Sequence, residues 1–130
     1  MTDLAHNKRV ALSVLEAFSA KDYEALDKAL AVDLTYWVAG TTALSGTTTK
    51  VDFMEVFNAM RNTVDGPMTI VVDEVTAEDD RVAVIAHGNM QGPGGTPYNN
   101  SYHWFFRVRA DQVVEVREYL DTELLRSVLE

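Results

Sequence analysis

The chain of 130 residues carries 20 acidic and 11 basic side chains, so its formal charge is −9 at neutral pH. A surplus of negative charge without a basic stripe repels phosphate backbones and excludes a nucleic acid as the expected partner. The absence of cysteine excludes disulfides, thiol catalysis and thiolate metal sites. This length is typical of one domain with one hydrophobic core, and we therefore expect a single domain over residues 1–130.

The first ten residues, MTDLAHNKRV, contain charges where a signal peptide would have an apolar run. The longest uncharged stretch, from Val82 to Phe106, is interrupted by Gly, Pro, Asn and Gln, a composition that cannot span a bilayer. We therefore expect a cytoplasmic protein that has no membrane partner.

Three helices are predicted in the first half of the chain. Apolar residues at helical spacing predict the first helix, from about Ala5 to Ala20. Asp22 and Thr49 are residue types that cap helix N-termini, so a short second helix and a longer third helix should begin after them. Between these two helices, Leu34–Val38 is rich in β-branched and aromatic residues and predicts a short strand, which a loop follows.

From Met68 onward the hydrophobic period changes from a helical one to a period of two, which predicts strands. Ala110 and Asp111 stand where a two-residue hairpin turn belongs. Helices followed by a run of antiparallel strands indicate an α+β fold, with the helices packed on one face of the sheet. The predicted strands are Met68–Ala77, Arg81–Met90, Tyr98–Ala110 and Gln112–Leu120, and a final helical turn follows them.

One face of the predicted strand Tyr98–Ala110 carries Tyr102, Trp104 and Phe106, and the opposite face carries His103. We expect the helices to cover the face that carries His103. The aromatic face would then be exposed, and exposed patches of this kind mark protein interfaces. We therefore expect a homodimer packed sheet to sheet through Tyr102, Trp104 and Phe106. The alternative is that a terminal segment covers this face within the monomer.

Three titratable side chains are predicted to converge on the inner face of the sheet. With the two-residue turn, His103 lies directly opposite Glu118, and directly opposed residues are close enough for their side chains to touch. Counting through the preceding loop places His87 near Ser101, on the same face. A carboxylate and an imidazole in an apolar concavity form a candidate acid–base couple near neutral pH. The alternative is that the pair only stabilises the sheet.

No metal and no other cofactor is expected. Two His and one Glu could in principle ligate a metal, but no ligand spacing such as HxxxH or HExxH occurs. The glycines Gly94 and Gly95 are not followed by a predicted helix, so their segment is interpreted as a turn and not as a phosphate-binding loop.

The order of elements and the segments DLTYWVAG, LSG and YHWFFRVRADQVVEVREYLDT resemble those of the SnoaL-like branch of the nuclear transport factor 2-like superfamily. Ketosteroid isomerase and limonene epoxide hydrolase belong to the same superfamily. The resemblance implies a cone-shaped, curved, mostly antiparallel sheet wrapped by three N-terminal helices. This is a cystatin-like α+β barrel, and it is commonly dimeric through its outer sheet face.

SnoaL-type polyketide cyclases use an acidic residue on the last strand with a histidine on the preceding strand. The resemblance implies that Glu118 and His103 take these positions. We therefore predict proton transfer on a small apolar carbonyl compound, of the cyclase or isomerase type, with Glu118 as acid or base. His87 would orient the substrate or stabilise an oxyanion. The residues expected to line the site are Val14, Phe18, Tyr36, Val38, Met54, Phe57, Asn89, Phe105 and Val116.

Two other activities of the superfamily are not expected. A ketosteroid isomerase would have a tyrosine at the position of Val14 and a carboxylate at the position of Val38. A limonene epoxide hydrolase would have an arginine and an aspartate where His87 and Asn89 stand. Two further alternatives stay open, a non-catalytic module that binds a small apolar ligand and a dimerisation scaffold. The fold alone does not decide whether the chain is an enzyme.

Overall fold

The computed structural model describes residues 2–129, which form four helices, six strands and a short 3-10 turn at Pro93–Gly95. The helices are α1 (Leu4–Ser19), α2 (Tyr23–Ala29), α3 (Lys50–Thr63) and α4 (Thr122–Leu129). The strands are β1 (Leu30–Val38), β2 (Gly46–Thr49), β3 (Met68–Glu78), β4 (Arg81–Met90), β5 (Ser101–Arg109) and β6 (Gln112–Leu120). The predicted α+β class is confirmed.

The three N-terminal helices begin at capping side chains. Asp3, Asp22 and Thr49 each accept a hydrogen bond from the backbone N–H three residues further along the chain. These bonds satisfy N–H groups that have no partner within the helix. The predicted caps Asp22 and Thr49 are therefore confirmed.

The strands form one curved sheet in the order β2-β1-β6-β5-β4-β3. β1 and β6 run parallel, and the other neighbouring strands run antiparallel. The predicted curved, mostly antiparallel sheet is confirmed, although it stays open between its edge strands β2 and β3.

Two features of the first strands differ from the prediction. β1 begins at Leu30 rather than Leu34, because Leu30 already pairs with Val113 of β6. β2 lies in the predicted loop and pairs with the end of β1, where Thr48 is opposite Tyr36. A run of β-branched threonines suits an edge strand.

The concave face of the sheet is covered by α1 and α3 and forms the core. Phe106, Trp104 and Tyr102 lie in this core, with 0%, 4% and 7% of their surface exposed. The prediction that these three residues form the outer face is therefore wrong. They share their face with Val82 and Val84, whereas the opposite face carries imidazole and guanidinium groups. Burying the more apolar face removes more apolar area from water.

An extra residue in β6 changes the pairing of the final hairpin. Arg109 pairs with Gln112, as the predicted two-residue turn requires. Val108 then pairs with Val113, but Arg107 pairs with Glu115, so that Val114 forms a β-bulge. A bulge shifts the register by one residue and moves every later side chain to the other face.

The bulge places opposite charges next to each other on the convex face. The Nε atom of Arg107 donates to Glu115 Oε1 at 3.1 Å, and Arg117 Nε lies 3.4 Å from Glu115 Oε2. As a consequence Glu118 faces Trp104, and His103 faces Tyr119. The predicted pairing of His103 with Glu118 is wrong.

The C-terminal helix α4 packs against the loop that follows β1. Asp121 Oδ1 caps this helix by accepting from the N–H groups of Glu123 and Leu124. At Gly40, where φ is +93°, a Cβ atom would lie 2.7 Å from the Cγ2 atom of Thr122. Within residues 2–129, neither α4 nor any other helix is long and apolar enough to cross a membrane.

Candidate active site

Glu118 lies on the concave face of β6, between Tyr36 of β1 and Trp104 of β5. The Tyr36 hydroxyl donates to Glu118 Oε1 at 2.5 Å, and the Trp104 indole N–H donates to the same oxygen at 3.0 Å. Within residues 2–129 the other oxygen, Oε2, accepts no hydrogen bond, and no fully buried polar side-chain atom lacks a partner. Oε2 is therefore not completely buried, and it is the oxygen of Glu118 that has no protein partner.

Both donors are held by ring stacking. The Tyr36 ring stacks on Phe53 of α3, with a centroid distance of 4.2 Å and an interplanar angle of 11°. The Trp104 ring stacks on Tyr102 at 4.3 Å, also at 11°. Stacked aromatic rings contribute attraction beyond the area that they bury. The two donors are therefore fixed in direction, and Oε1 is held between them.

The surroundings of Glu118 favour a protonated carboxyl more than water does. Burial raises the pKa of Glu118, and the hydrogen bonds from Tyr36 and Trp104 oppose part of that rise. Burial and the nearby Glu118 carboxylate raise the pKa of Tyr36 well above 10, so this phenol remains a neutral donor. A carboxyl group with a raised pKa can both take up and release a proton near neutral pH.

Asn100 connects the start of β5 to the end of β6 from a fully buried position. Its Nδ2 atom donates to the Tyr98 hydroxyl at 2.9 Å and to the Asp121 carbonyl at 3.0 Å. Its Oδ1 atom accepts from the backbone N–H groups of Asp121 and Ser101. All hydrogen-bonding groups of its side chain are used, and the Tyr98 phenol is thereby held at this end of the sheet.

The two predicted catalytic histidines lie on the convex face. His87 is opposite Ser101, as predicted, but its imidazole is exposed and its Nδ1 atom lies 2.9 Å from Asp73 Oδ2. His103 is exposed as well. The predicted convergence of both histidines with Glu118 is therefore wrong, because the sheet separates the imidazoles from the carboxylate.

The predicted lining residues divide between the two faces. Asn89 and Phe105 lie on the convex face with the histidines. The other seven are on the concave face or on the helices that cover it; they are Val14, Phe18, Tyr36, Val38, Met54, Phe57 and Val116. Of these, Phe57 and Val116 have almost no accessible surface and pack against their neighbours. The partly exposed residues near Glu118 include Val38, its neighbour in the parallel ladder.

Trp104 and Phe53 also belong to this site and were not predicted from the sequence. The sequence did contain a signal for Trp104. Arg107 and Glu115 carry opposite charges, and they lie directly across the hairpin from each other only if β6 contains one extra residue. That pairing would have put Glu118 on the face of Trp104.

Two open concavities occur elsewhere on the described surface, and Glu118 lines neither. One, of about 500 Å³, lies on the convex face and is lined by His103, Phe105, Arg107, Glu115, Arg117 and Tyr119. The other, of about 430 Å³, lies beside the ends of β3 and β4, where Asp65, Asn89 and Asn99 contribute. Within residues 2–129 no group of three or more His, Asp or Glu side chains is placed to hold a metal ion.

Comparisons with known proteins agree with this fold. A family model described as a SnoaL-like domain matches residues 11–116, and no curated protein matches the sequence. IdmH from Streptomyces antibioticus, proposed to be a polyketide cyclase, is 21% identical with a TM-score of 0.74, over 95% of this chain and 97% of that chain. An LEH-like epoxide hydrolase from M. tuberculosis is 18% identical with a TM-score of 0.80, over 98% and 92%. TerC, co-crystallized with polyporic acid, is 19% identical with a TM-score of 0.80, over 95% and 98%. At these identities the likeness to the solved structures concerns the fold.

Proposed function

Because the chain belongs to the SnoaL-like domain family, we propose that it performs acid–base chemistry of the cyclase or isomerase type on a small apolar carbonyl compound. The observation that carries the proposal is the Glu118 carboxylate, which has one oxygen held by two donors and the other neither completely buried nor hydrogen-bonded within residues 2–129. A single carboxyl group among aromatic side chains suits an apolar guest with one polar function.

Glu118 Oε2 is the proton-transfer atom in this proposal. It removes a proton from the carbon next to the carbonyl, so that the C–H bond breaks and an O–H bond forms on Oε2. The electron pair of the C–H bond becomes a C=C bond, and the carbonyl π pair moves to oxygen. Glu118 then returns the proton to another atom of the guest. Alternatively, the enolate carbon attacks a second carbonyl and closes a ring, the π pair of that carbonyl moves to its oxygen, and Glu118 returns the proton to the alkoxide.

In this proposal the guest meets Glu118 beside three apolar side chains, Val38, Phe53 and Leu120. These three side chains are partly exposed and pack against the core. Val38 is the ladder neighbour of Glu118, and Phe53 stacks on Tyr36. An aromatic or alicyclic ketone matches this combination of apolar surface and one carboxylate.

The first prediction concerns Glu118→Gln, which keeps an oxygen that accepts from Tyr36 and Trp104 but removes the base. The measurement is exchange of α-protons for deuterium in 2-tetralone and 1-phenyl-1,3-butanedione, followed by NMR in D2O. We expect the exchange rate to fall by about 10²- to 10⁴-fold, as for other general acid–base groups. Glu55→Gln changes an exposed carboxylate on α3 and should leave the rate unchanged.

The proposal fails if the unmodified protein gives no exchange above the buffer rate, or if Glu118→Gln keeps the full rate. Binding of these ketones without any exchange would instead favour the non-catalytic binding module.

We also propose a homodimer that uses the convex face of the sheet, with residues other than those predicted. Ile85 and Tyr119 are each 44% exposed there, and Trp37 lies against Tyr119 with a centroid distance of 5.2 Å. Arg107, Glu115 and Arg117 put both signs of charge on the same face. A patch with both signs can complement a second copy of itself about a two-fold axis.

A further inference from the structure

Tyr98 is the third phenol near Glu118, after Tyr36 and Tyr102, and burial together with the Glu118 carboxylate raises the pKa of all three. Asn100 donates to the Tyr98 oxygen from a fully buried position, and the side chain of Tyr98 is itself partly exposed. Tyr98 also shares a hydrogen bond with Tyr102, and Tyr102 is its donor, because the bond lowers the pKa of Tyr98 and raises that of Tyr102. Within residues 2–129 the Tyr98 hydroxyl therefore accepts from both neighbours and keeps its own proton. A phenol that accepts a hydrogen bond and keeps its proton available is a polarised donor.

Contacts connect Tyr98 to Glu118. The ring of Tyr102 stacks on Trp104, and the Trp104 indole N–H donates to Glu118. Burial raises the pKa of Tyr98 and the Glu118 carboxylate adds to the rise, whereas the hydrogen bonds with Asn100 and Tyr102 oppose it. Tyr98, Tyr102 and Glu118 therefore belong to one group of interacting side chains, although no described bond joins Tyr98 directly to Glu118.

We propose that the Tyr98 hydroxyl is the group that receives the carbonyl oxygen of the guest. The assignment rests on the proposed function and adds a second catalytic residue to it. Tyr98 donates to the ground-state carbonyl and, more strongly, to the enolate oxygen that forms when Oε2 of Glu118 removes the α-proton. A donor placed where negative charge develops lowers the barrier of the step.

Asn100 is a positioning residue in this proposal. Its Nδ2 atom is a donor only, so the Tyr98 oxygen must accept from it and cannot donate back to it. Because Oδ1 of Asn100 is held by two backbone N–H groups, the amide cannot rotate to present an acceptor instead. The Tyr98 proton is therefore left for the guest.

The test measures binding of 2-naphthol and naphthalene to Glu118→Gln, in which a neutral amide replaces the carboxyl. 2-Naphthol presents an oxygen that ionises, and its absorption spectrum reports the ionised fraction. Naphthalene has the same rings without the oxygen. Adding Tyr98→Phe should weaken binding of 2-naphthol about 10- to 100-fold, the worth of a hydrogen bond to a charged group, and lower the ionised fraction. Naphthalene binding should not change, and Tyr119→Phe, on the convex face, should change neither.

The outcomes separate this inference from the proposed function. If Glu118→Gln binds neither compound, the apolar site is absent, and both proposals are overturned. If it binds both and Tyr98→Phe leaves 2-naphthol binding unchanged, only the role of Tyr98 is overturned. An equal loss for naphthalene and 2-naphthol would show that Tyr98 only shapes the site, which also overturns its role as donor.

Discussion

The carboxyl group of Glu118 lies among aromatic rings, where a negative charge loses its hydration. Two hydrogen bonds replace part of that hydration, but both are made to one oxygen. Because burial is the largest cause, the pKa of Glu118 is raised above its usual value. At a pH above the folded-state pKa, the ionised carboxylate therefore costs the native state some of its stability.

This pKa shift predicts how the stability of Glu118→Gln depends on pH. A raised acid pKa contributes stability that is present below the unfolded-state pKa and is lost as the pH rises through the folded-state pKa. The amide cannot ionise, so the variant should become more stable relative to the unmodified protein as the pH rises from 4 to about 8. Urea unfolding at a series of pH values measures the difference. Glu55→Gln should show no such trend, and a Glu118→Gln variant that loses relative stability with rising pH would contradict the assignment.

At the scale of single residues, the sequence predicted Glu118 and Tyr36 as site residues, but it did not predict that Tyr36 and Trp104 donate to Glu118. The resemblance to the SnoaL-like branch picked out the acidic residue on the last strand without needing the pairing register. The partner His103 was derived from strict alternation, and strict alternation fails at a bulge. Trp104 and Tyr36 could have been paired with Glu118 only by knowing that Val114 is the extra residue.

At the scale of elements, α4 depends on the close approach of Gly40 to Thr122. Gly40 and Gly46 both have positive φ angles, +93° and +98°. A Cβ atom at Gly40 would meet Thr122, whereas a Cβ atom at Gly46 would meet nothing within 4 Å. A substitution at either glycine would therefore strain the backbone, but only a substitution at Gly40 would also clash with α4.

Substitutions at these two glycines distinguish the cost of backbone strain from the cost of a clash with α4. Gly46→Ala should cost about 1–2 kcal/mol in unfolding free energy, because an L-residue is strained at positive φ. Gly40→Ala should cost more, since it adds a clash with the Thr122 methyl group. Thr122→Ser removes that methyl group, so the double variant should recover part of the additional loss. Equal unfolding free energies for Gly40→Ala and Gly46→Ala, measured in urea, would show that α4 does not pack here.

The elements themselves were largely predictable. β4 and β6 have the predicted bounds, and the caps Asp22 and Thr49 begin the predicted helices. These features depend on residues that are close together in the chain, so they can be predicted from the sequence. β2 and the bulge depend on which strands become neighbours, and local chemistry does not determine that.

At the scale of the whole molecule, the sheet separates a concave face that holds the carboxylate from a convex face that is part apolar and part charged. The convex groove is lined by His103, Phe105, Arg107, Glu115, Arg117 and Tyr119. The sequence predicted an interface through Tyr102, Trp104 and Phe106, but these side chains lie in the core. The helices cover the face of the sheet that has the larger apolar area. Trp104 and Phe106 give the concave face more apolar area than Ile85 and Phe105 give the convex face.

The proposed dimer predicts the effect of a charge on this convex face. Ile85→Glu should convert the protein from a species of twice 14.5 kDa to one of 14.5 kDa, because it buries a charge in the interface. Val51→Glu makes the same change at an apolar residue that is 69% exposed on α3, and it should leave the dimer intact. Light scattering after gel filtration gives the masses. A monomeric unmodified protein, or an Ile85→Glu variant that stays dimeric, would contradict the interface.

The use of a single oxygen of Glu118 has a consequence for stereochemistry. Tyr36 and Trp104 hold Oε1, so in the proposed reaction the proton that leaves or enters the guest passes through Oε2. One base atom on a rigid strand approaches the guest from one side only. Removal and return of hydrogen then take place on the same face, and the product of a prochiral guest is a single mirror-image form.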